Sequence, residues 1–393
     1  MDRRGFLKIA GLGAGTLALV GAGGGTWRAV EGGVFATGTG PAYAAWDALS
    51  PSTQDSMGMV RAAVLAANAH NAQPWHFRVA AGRIDLFADT SRSIGTMDPL
   101  GREMQISLGC ALENLALAGP PNGKATRVSL LPDPADLTHI ARVDLHPMPK
   151  STSALFAAIP ERHTNRSAYD KGRPVTRAHL NAFNGCAGSP DVELVWFNDG
   201  DDKRAFGDLT TRATEAIIAD PQQAADDFAW YRTDWDEIQA KKDGITIDPS
   251  GQSTLIRSLA KVLPVSQKQN NDGWLSGTRE TQIPTAAAFG ALVVRDPLDP
   301  IQRLHVGRIW QRLHLSATVN GLAMQPLCQV PERIDRERSA GLAPDFTTAA
   351  AAMFPAWWHP LMTFRIGYPT TDALRSPRRP AADVICHQAE LVR

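Results

Sequence analysis

Four cysteines in 393 residues are too few for the disulfide lattice of a small secreted domain. No C-x-x-C occurs and no histidine falls in H-E-x-x-H, so no metal site is expected. A G-x-S-x-G elbow is missing too, which argues against an α/β-hydrolase. Neither sign of charge is in excess: 40 Lys+Arg stand against 40 Asp+Glu, which implies no basic face for nucleic acid. A hydrophobic content of 44% with 20% charged residues describes an ordinary globular core and excludes collagen-like, coiled-coil and multi-span membrane chains. At roughly 150 residues per domain, the length suggests two or three domains.

The first 44 residues read as an address. Asp2-Arg3-Arg4-Gly5-Phe6-Leu7-Lys8 is a twin-arginine signature, followed by an apolar stretch from Ile9 to Val20. That stretch is short and glycine-broken for a spanning helix but suits a signal peptide. Ala42-Tyr43-Ala44 offers an A-x-A cleavage site, leaving Ala45 as the mature N-terminus. The expectation is export by the twin-arginine machinery to the periplasm or cell envelope, with cleavage or with an uncleaved, membrane-anchored form. That route carries folded clients, so a redox protein loaded with cofactor before export fits it. Gly11-Leu12-Gly13-Ala14-Gly15 lacks the preceding strand and following acid of a dinucleotide fingerprint, and belongs to the signal.

The remainder reads as two related halves, 45–155 and 156–393, with a charged insertion at 200–285. Val60, Ala63, Val64 and Ala67 share a helical face that ends near Asn68. Phe77, Val79, Ile84, Leu86 and Ala88 alternate about Ala81-Gly82 as a hairpin, and Val192, Leu194 and Trp196 alternate as a strand. Asp98-Pro99-Leu100 opens a helix carrying Leu108, Ala111, Leu112 and Leu115 on one face. Asp296-Pro297-Leu298 opens another, carrying Val306, Ile309, Trp310 and Leu313. These helices are offset by 198 residues, and at that offset the D-P-L turn, Gly109/Gly307, Leu115/Leu313 and Leu117/Leu315 are identical. The shared spacing predicts an internal duplication.

Four blocks then bear a specific resemblance. Asn68-Ala69-His70-Asn71-Ala72-Gln73-Pro74-Trp75-His76-Phe77 resembles the nitroreductase family's P-S-S-x-N-x-Q-P-W-x-F loop. Glu161-Arg162-His163-Thr164-Asn165-Arg166-Ser167-Ala168-Tyr169 resembles its R-R/H-S-x-R/K-x-F signature. Gly321-Leu322-Ala323-Met324-Gln325-Pro326-Leu327 resembles its G-L-x-x-x-P segment. Phe364 to Pro369, with Pro377-Arg378-Arg379-Pro380, resembles its closing strand and arginine tail. With the export signal, the set is similar to the exported, double-length branch called Acg-type flavin oxidoreductases.

That resemblance implies an α+β fold in which the two halves form an intramolecular pseudo-dimer of mixed sheets flanked by helices. It implies one complete FMN site and one degenerate site, because the loop lies in the first half and the other blocks in the second. Arg162, His163 and Thr164 would lie toward the phosphate and ribityl end, and Arg166 toward the electron-rich ring edge. A cation at that edge would favour reduced flavin. Asn68, His70, Asn71 and Gln73 would add hydrogen bonds from the other half, His70 either as a flavin contact or as a cap. Pro326, Leu327 and Cys328 would pass the ring face, chiefly by backbone. Arg378 and Arg379 would help pair the phosphate, planar permanent cations being suited to it.

The implied activity is an FMN-dependent oxidoreductase passing electrons to a small electrophile such as a nitroaromatic or quinone, with no catalytic side chain required beyond the cofactor shell. The donor would be NAD(P)H or, outside the cytoplasm, a quinol or partner protein. The alternative is an exported flavin-sequestering protein without turnover. Trp230, Tyr231, Trp235 and Trp274 of the insertion would form a lid or anchor it to the core. A monomer is expected, since a duplicated chain carries its own dimer interface.

Overall fold

The computed structural model describes residues 24–49, 55–186, 188–198 and 200–386; Arg3, Arg4 and the apolar stretch to Val20 lie outside them. Helix α1 (Gly24–Glu31) is followed by turns to residue 43 and a helical turn at Ala44–Asp47. Helix α2 (Ser56–Ala63) is capped by the Asp55 carboxylate, which accepts from the Gly58 N–H at 2.8 Å. It ends earlier than the apolar spacing predicts. Leu65 N and Ala66 N donate to carbonyls three residues back, a tightening that lets the chain leave the helix before Asn68.

The first sheet then forms. Strands β1 (Trp75–Ala80) and β2 (Arg83–Ala88) are the antiparallel hairpin expected about Ala81-Gly82, with Gly82 at φ +70 in the turn. Helix α3 (Arg102–Leu117) follows, its N-terminus held by Asp98, whose two carboxylate oxygens accept from Glu103 N and Met104 N. Strands β3 (Lys124–Leu130) and β4 (His139–Pro147) complete the order β1-β2-β4-β3.

The second sheet repeats that order. Strands β5 (Val192–Phe197), β6 (Ala288–Val294), β7 (Ala323–Pro326) and β8 (His359–Gly367) pair as β5-β6-β8-β7, all antiparallel. Helix α4 (Pro300–Val319) stands where α3 stands in the first half, and helix α5 (Gln329–Ala340) follows β7. Each sheet also shifts register between its second and fourth strands, at Leu86/Phe87 and at Leu292/Val293. Two α+β halves of the same topology, with the same register shift, fit the internal duplication that the 198-residue repeat predicts and the pseudo-dimer that the resemblance implies. The sheets are antiparallel rather than mixed, because neighbouring strands run in opposite directions throughout the order β1-β2-β4-β3 and its repeat.

Residues 200–285 lie between β5 and β6, where the first half has only its two-residue turn. They form helices Gly200–Ala219, Pro221–Phe228, Trp235–Lys241, Thr254–Val262 and Gln267–Gly277. Phe206, Leu209 and Ala213 of the first of these pack with Phe289, Ala291 and Val293 on one face of β6, while Leu292 and Val294 face the main core. Burial on both faces explains why β6 is apolar throughout, Ala-Phe-Gly-Ala-Leu-Val-Val, rather than alternating.

Candidate functional site

The loop between α2 and β1 is strained. His70, Asn71 and Gln73 have φ values of 49, 53 and 53, a region that non-glycine residues rarely occupy. Its side chains explain why it holds. Asn68 Oδ1 accepts from Gln73 N at 2.8 Å, closing the loop on itself. Asn71 Nδ2 donates to Gly244 O (3.1 Å) and Pro377 O (2.9 Å), and Gln73 Nε2 donates to Lys242 O (2.8 Å). His70 Nε2 meets Asp227 Oδ1 at 2.9 Å. Burial pulls the His70 pKa down, but the Asp227 hydrogen bond and charge outweigh it and raise the pKa above its ordinary value.

The arginine tail closes on the same loop. Arg378 NH1 donates to Asn71 Oδ1, Arg379 N donates to Gln73 Oε1 at 2.7 Å, and Arg379 NH1 donates to Gln73 O at 3.3 Å. Loop and tail are over 300 residues apart in sequence, so this junction joins the first half to the end of the second.

Arg162 and Arg378 form the centre of the site. They are 1% and 4% exposed, and among the described residues neither has a carboxylate within ion-pair distance. Arg162 NH2 donates to Leu65 O (3.2 Å) and NH1 to His314 Nδ1 (3.4 Å). Arg378 NH2 donates to Ala66 O at 3.4 Å. The Nε of each guanidinium is buried without a partner. Burial holds Arg162 down to about 10, and burial together with the Arg162 charge holds Arg378 well below its ordinary value. His163 stands beside them, its pKa pushed down to about 3 by burial, then by Arg162, Arg378 and Arg375. Arg162 depresses Arg378, both depress the neighbouring histidine, and the two buried cations leave positive potential uncompensated by the chain. An unpaired buried charge costs several kcal/mol, about 3–5 where a partner has been removed. Such a pair is retained where an anion fits it.

Thr164 and Arg166 face a different part of the same region. With Asn165 and Ser167 they line a cavity of about 490 Å³ whose other walls are residues 248–257 of the insertion and 370–374. Arg166 NH1 donates to Pro249 O at 3.2 Å, and Arg257 faces the same cavity. The cavity therefore presents hydroxyls and two guanidinium groups beside the carboxylates of Asp248 and Asp372, with Arg257 paired to Asp248 at 3.2 Å.

Pro326, Leu327 and Cys328 are not brought to the arginine pair by any hydrogen bond among the described residues. Leu327 N donates to Thr363 O at 2.8 Å, extending the β7–β8 pairing. The Cys328 thiol meets Met362 Sδ at 3.4 Å, and burial pushes its pKa up, as befits an inert structural thiol. Cys110, Cys186 and Cys328 are free thiols. The link from this segment to the motif is Asn165 N, which donates to Met324 O at 3.3 Å. Trp46, Ala42 and His314 also touch the pair; no motif in the sequence points to Trp46 or His314, and Ala42 stands out only as part of the A-x-A pattern.

Loop, tail and arginine motif thus converge from distant parts of the chain on one junction, at whose centre Arg162 and Arg378 have no carboxylate partner among the described residues. No protein-family model matches the chain. Among curated proteins it is 27% identical over 367 residues to a Mycobacterium tuberculosis protein named "Putative NAD(P)H nitroreductase Rv3131", covering 91% of this chain and 97% of that one. A second relative from the same organism, the nitroreductase named acg, is 32% identical over 101 residues, a quarter of this chain and 30% of its own. Among solved structures, a nitroreductase with bound FMN from Bacteroides fragilis is 13% identical with a TM-score of 0.38, covering 60% of this chain and 99% of that one. An FMN- and NADPH-dependent nitroreductase from a Sphingopyxis strain gives 18% and 0.37 over the same shares. The sequence likeness runs through both halves and the insertion, and it is a likeness to proteins named as NAD(P)H nitroreductases.

Proposed function

We propose that this chain is an FMN-dependent oxidoreductase of nitroreductase type, reducing a small electrophilic acceptor such as a nitroaromatic or a quinone. The observation that carries the reading is the buried pair Arg162 and Arg378, each with an orphaned Nε and no carboxylate. A dianionic phosphate is the complement of that pair in charge, and planar guanidinium donors suit its oxygens. The likeness of the whole chain to proteins named NAD(P)H nitroreductases supports the same reading. On it, Arg162 and Arg378 hold the phosphate, His163 stays neutral between them, and Asn71 positions Arg378 by accepting from its NH1. Gln73 fixes Arg379 in the same way. Thr164 and Arg166 receive the ribityl chain and ring edge in the cavity they line. Bound FMN supplies hydride and electron transfer at its N5 position; the chain's task is binding, orientation and exclusion of water. The donor on this reading is NAD(P)H, or a quinol or partner protein if the chain is exported by the twin-arginine route to the cell envelope.

A second reading, a flavin-sequestering protein, is favoured by one observation. The side-chain amides of Asn71 and Gln73 are engaged by the Gly244 and Lys242 carbonyls of the insertion, which closes over the loop.

Absorption of the purified protein in the visible, followed by identification of the released chromophore, tests the proposal. A flavin spectrum with one FMN released per chain is expected. A colourless protein that takes up no added FMN refutes it. Steady NAD(P)H oxidation with an acceptor then favours turnover over sequestration, and flavin that resists both photoreduction and dithionite favours sequestration.

A further inference from the structure

Residues 33–48 do not stand apart from the folded body. Ala42, Tyr43, Ala45 and Trp46 are at most 3% exposed and belong to the main core. The segment is pinned along its length: Lys261 Nζ donates to Gly33 O (3.2 Å) and Thr37 Oγ1 (3.0 Å), and Ala42 N donates to Gln239 Oε1 at 3.0 Å. Gly33 has φ +66, and a β-carbon there would lie 2.3 Å from the Trp235 ring, so the insertion lies directly against it.

Its last residues reach the arginine pair. Arg378 N donates to Ala42 O at 2.7 Å, and the Arg378 guanidinium sits 5.0 Å over the Trp46 ring. The His163 ring meets the same indole edge-on at 4.5 Å. Trp46 Nε1 donates to Ser376 O at 2.8 Å, and Arg375 pairs with Asp47 at 2.9 Å, so the segment also holds the tail that delivers Arg378.

We infer that residues 33–48 are a permanent wall of the site around Arg162 and Arg378, with Trp46 the residue that positions Arg378 and His163, and that the chain functions uncut at Ala44. The inference rests on the reading of this arginine pair as the FMN phosphate site. An indole face is a fitting neighbour for a guanidinium that has no carboxylate, because it offers negative potential without neutralising the charge an incoming phosphate needs. Cutting between Ala44 and Ala45 would remove the Ala42 carbonyl from Arg378 N. It would also place a new α-ammonium at buried Ala45, one residue before the indole that packs on the Arg378 guanidinium. Burying a further positive charge there is costly. The bond also lies in a helical turn, Ala44–Asp47, rather than in an exposed loop tip where proteases cut. The sequence pattern that marks a cleavage site is thus used here as structure.

The test uses the full chain, with its flavin removed and FMN titrated back by flavin fluorescence. Trp46→Phe, which keeps an aromatic face, is expected to bind within about threefold of wild type, and Trp46→Leu at least about tenfold more weakly. Equal affinity for Trp46→Leu and wild type overturns the inference. Intact mass of protein recovered from a host with twin-arginine export decides independently: residues 33–48 are expected to be retained, and a folded, flavin-bearing chain starting at Ala45 overturns the wall. Failure of the wild-type chain to bind FMN would instead remove the cofactor reading, while the mass would still decide whether the segment belongs to the fold.

Discussion

Gly109 and Gly307 stand face to face where the two long helices cross, each Cα 2.9 Å from the place a β-carbon on the other would take. They are 198 residues apart, the same offset as the repeat. The contact is reciprocal: a β-carbon on Gly109 would meet Leu304 O at 2.3 Å, and one on Gly307 would meet Ile106 O at 2.1 Å, again 198 residues apart. Equivalent residues touch one another only near a two-fold axis, so the pseudo-dyad of the molecule passes between these glycines. Around it Gln311 Nε2 donates to Asn114 Oδ1 at 2.8 Å, and buried Glu113 accepts from Arg308 and Arg312.

Alanine at either glycine tests that axis. Alanine favours a helix over glycine by about 1 kcal/mol, but here its methyl group would strike backbone carbonyls that cannot rotate away. Crowding wins, and Gly307→Ala is expected to destabilise by about 1–3 kcal/mol in urea melts. A variant as stable as wild type would mean the helices are not packed at this distance.

Arg162→Met separates stability from binding. Removing an unpaired buried cation should stabilise the flavin-free protein, by about 1–4 kcal/mol if the methionine packs well. The same change should weaken FMN by about 1.5–3 kcal/mol through loss of a charge-assisted contact. Arg166→Ala should weaken FMN as well. Inorganic phosphate should raise the melting temperature of flavin-free wild type, by about 2.7 kcal/mol of stability at a hundredfold excess over its Kd, and should do so less for Arg162→Met. A melting temperature indifferent to phosphate in both proteins would remove the anion site.

The acid limb of stability should be steep. His163 has its pKa pushed down to about 3 in the folded chain, and buried His314 is lowered in the same direction, by burial first and by Arg162 next. The unfolded chain therefore binds more protons than the folded one between about pH 6.5 and 3, and stability falls as pH falls through that window. For His163 alone the loss is at most about 5 kcal/mol, and less in so far as solvent reaches the ring. His163→Asn should flatten this limb in urea melts recorded across the window. An unchanged slope would mean the imidazole is protonated in place.

A mass of one chain is expected in solution. The helix pair that joins the halves is already buried within the chain, so the usual reason for pairing two copies is satisfied internally. Light scattering giving twice that mass would show that a further surface associates.

The strands about Ala81-Gly82, the two long helices and the 198-residue repeat were legible because period and turn chemistry are local: alternation of side chains makes a strand wherever it sits. The residue types of the site were legible for the same reason, since Asn71, Gln73, Arg162 and Arg378 lie in short, ordered motifs. Tertiary structure alone decided what those residues do to one another. Arg162 is unpaired because its neighbours are Leu65 and His314, 97 and 152 positions away, and no local pattern records which carboxylates stay distant. Trp46 looks like the second residue of a mature chain, yet it packs against Arg378 and donates to Ser376 O, partners from the far end of the sequence that no local pattern announces. Local pattern sets which elements form. Burial and charge compensation are sums over the whole fold, so only the folded chain determines where an anion is wanted.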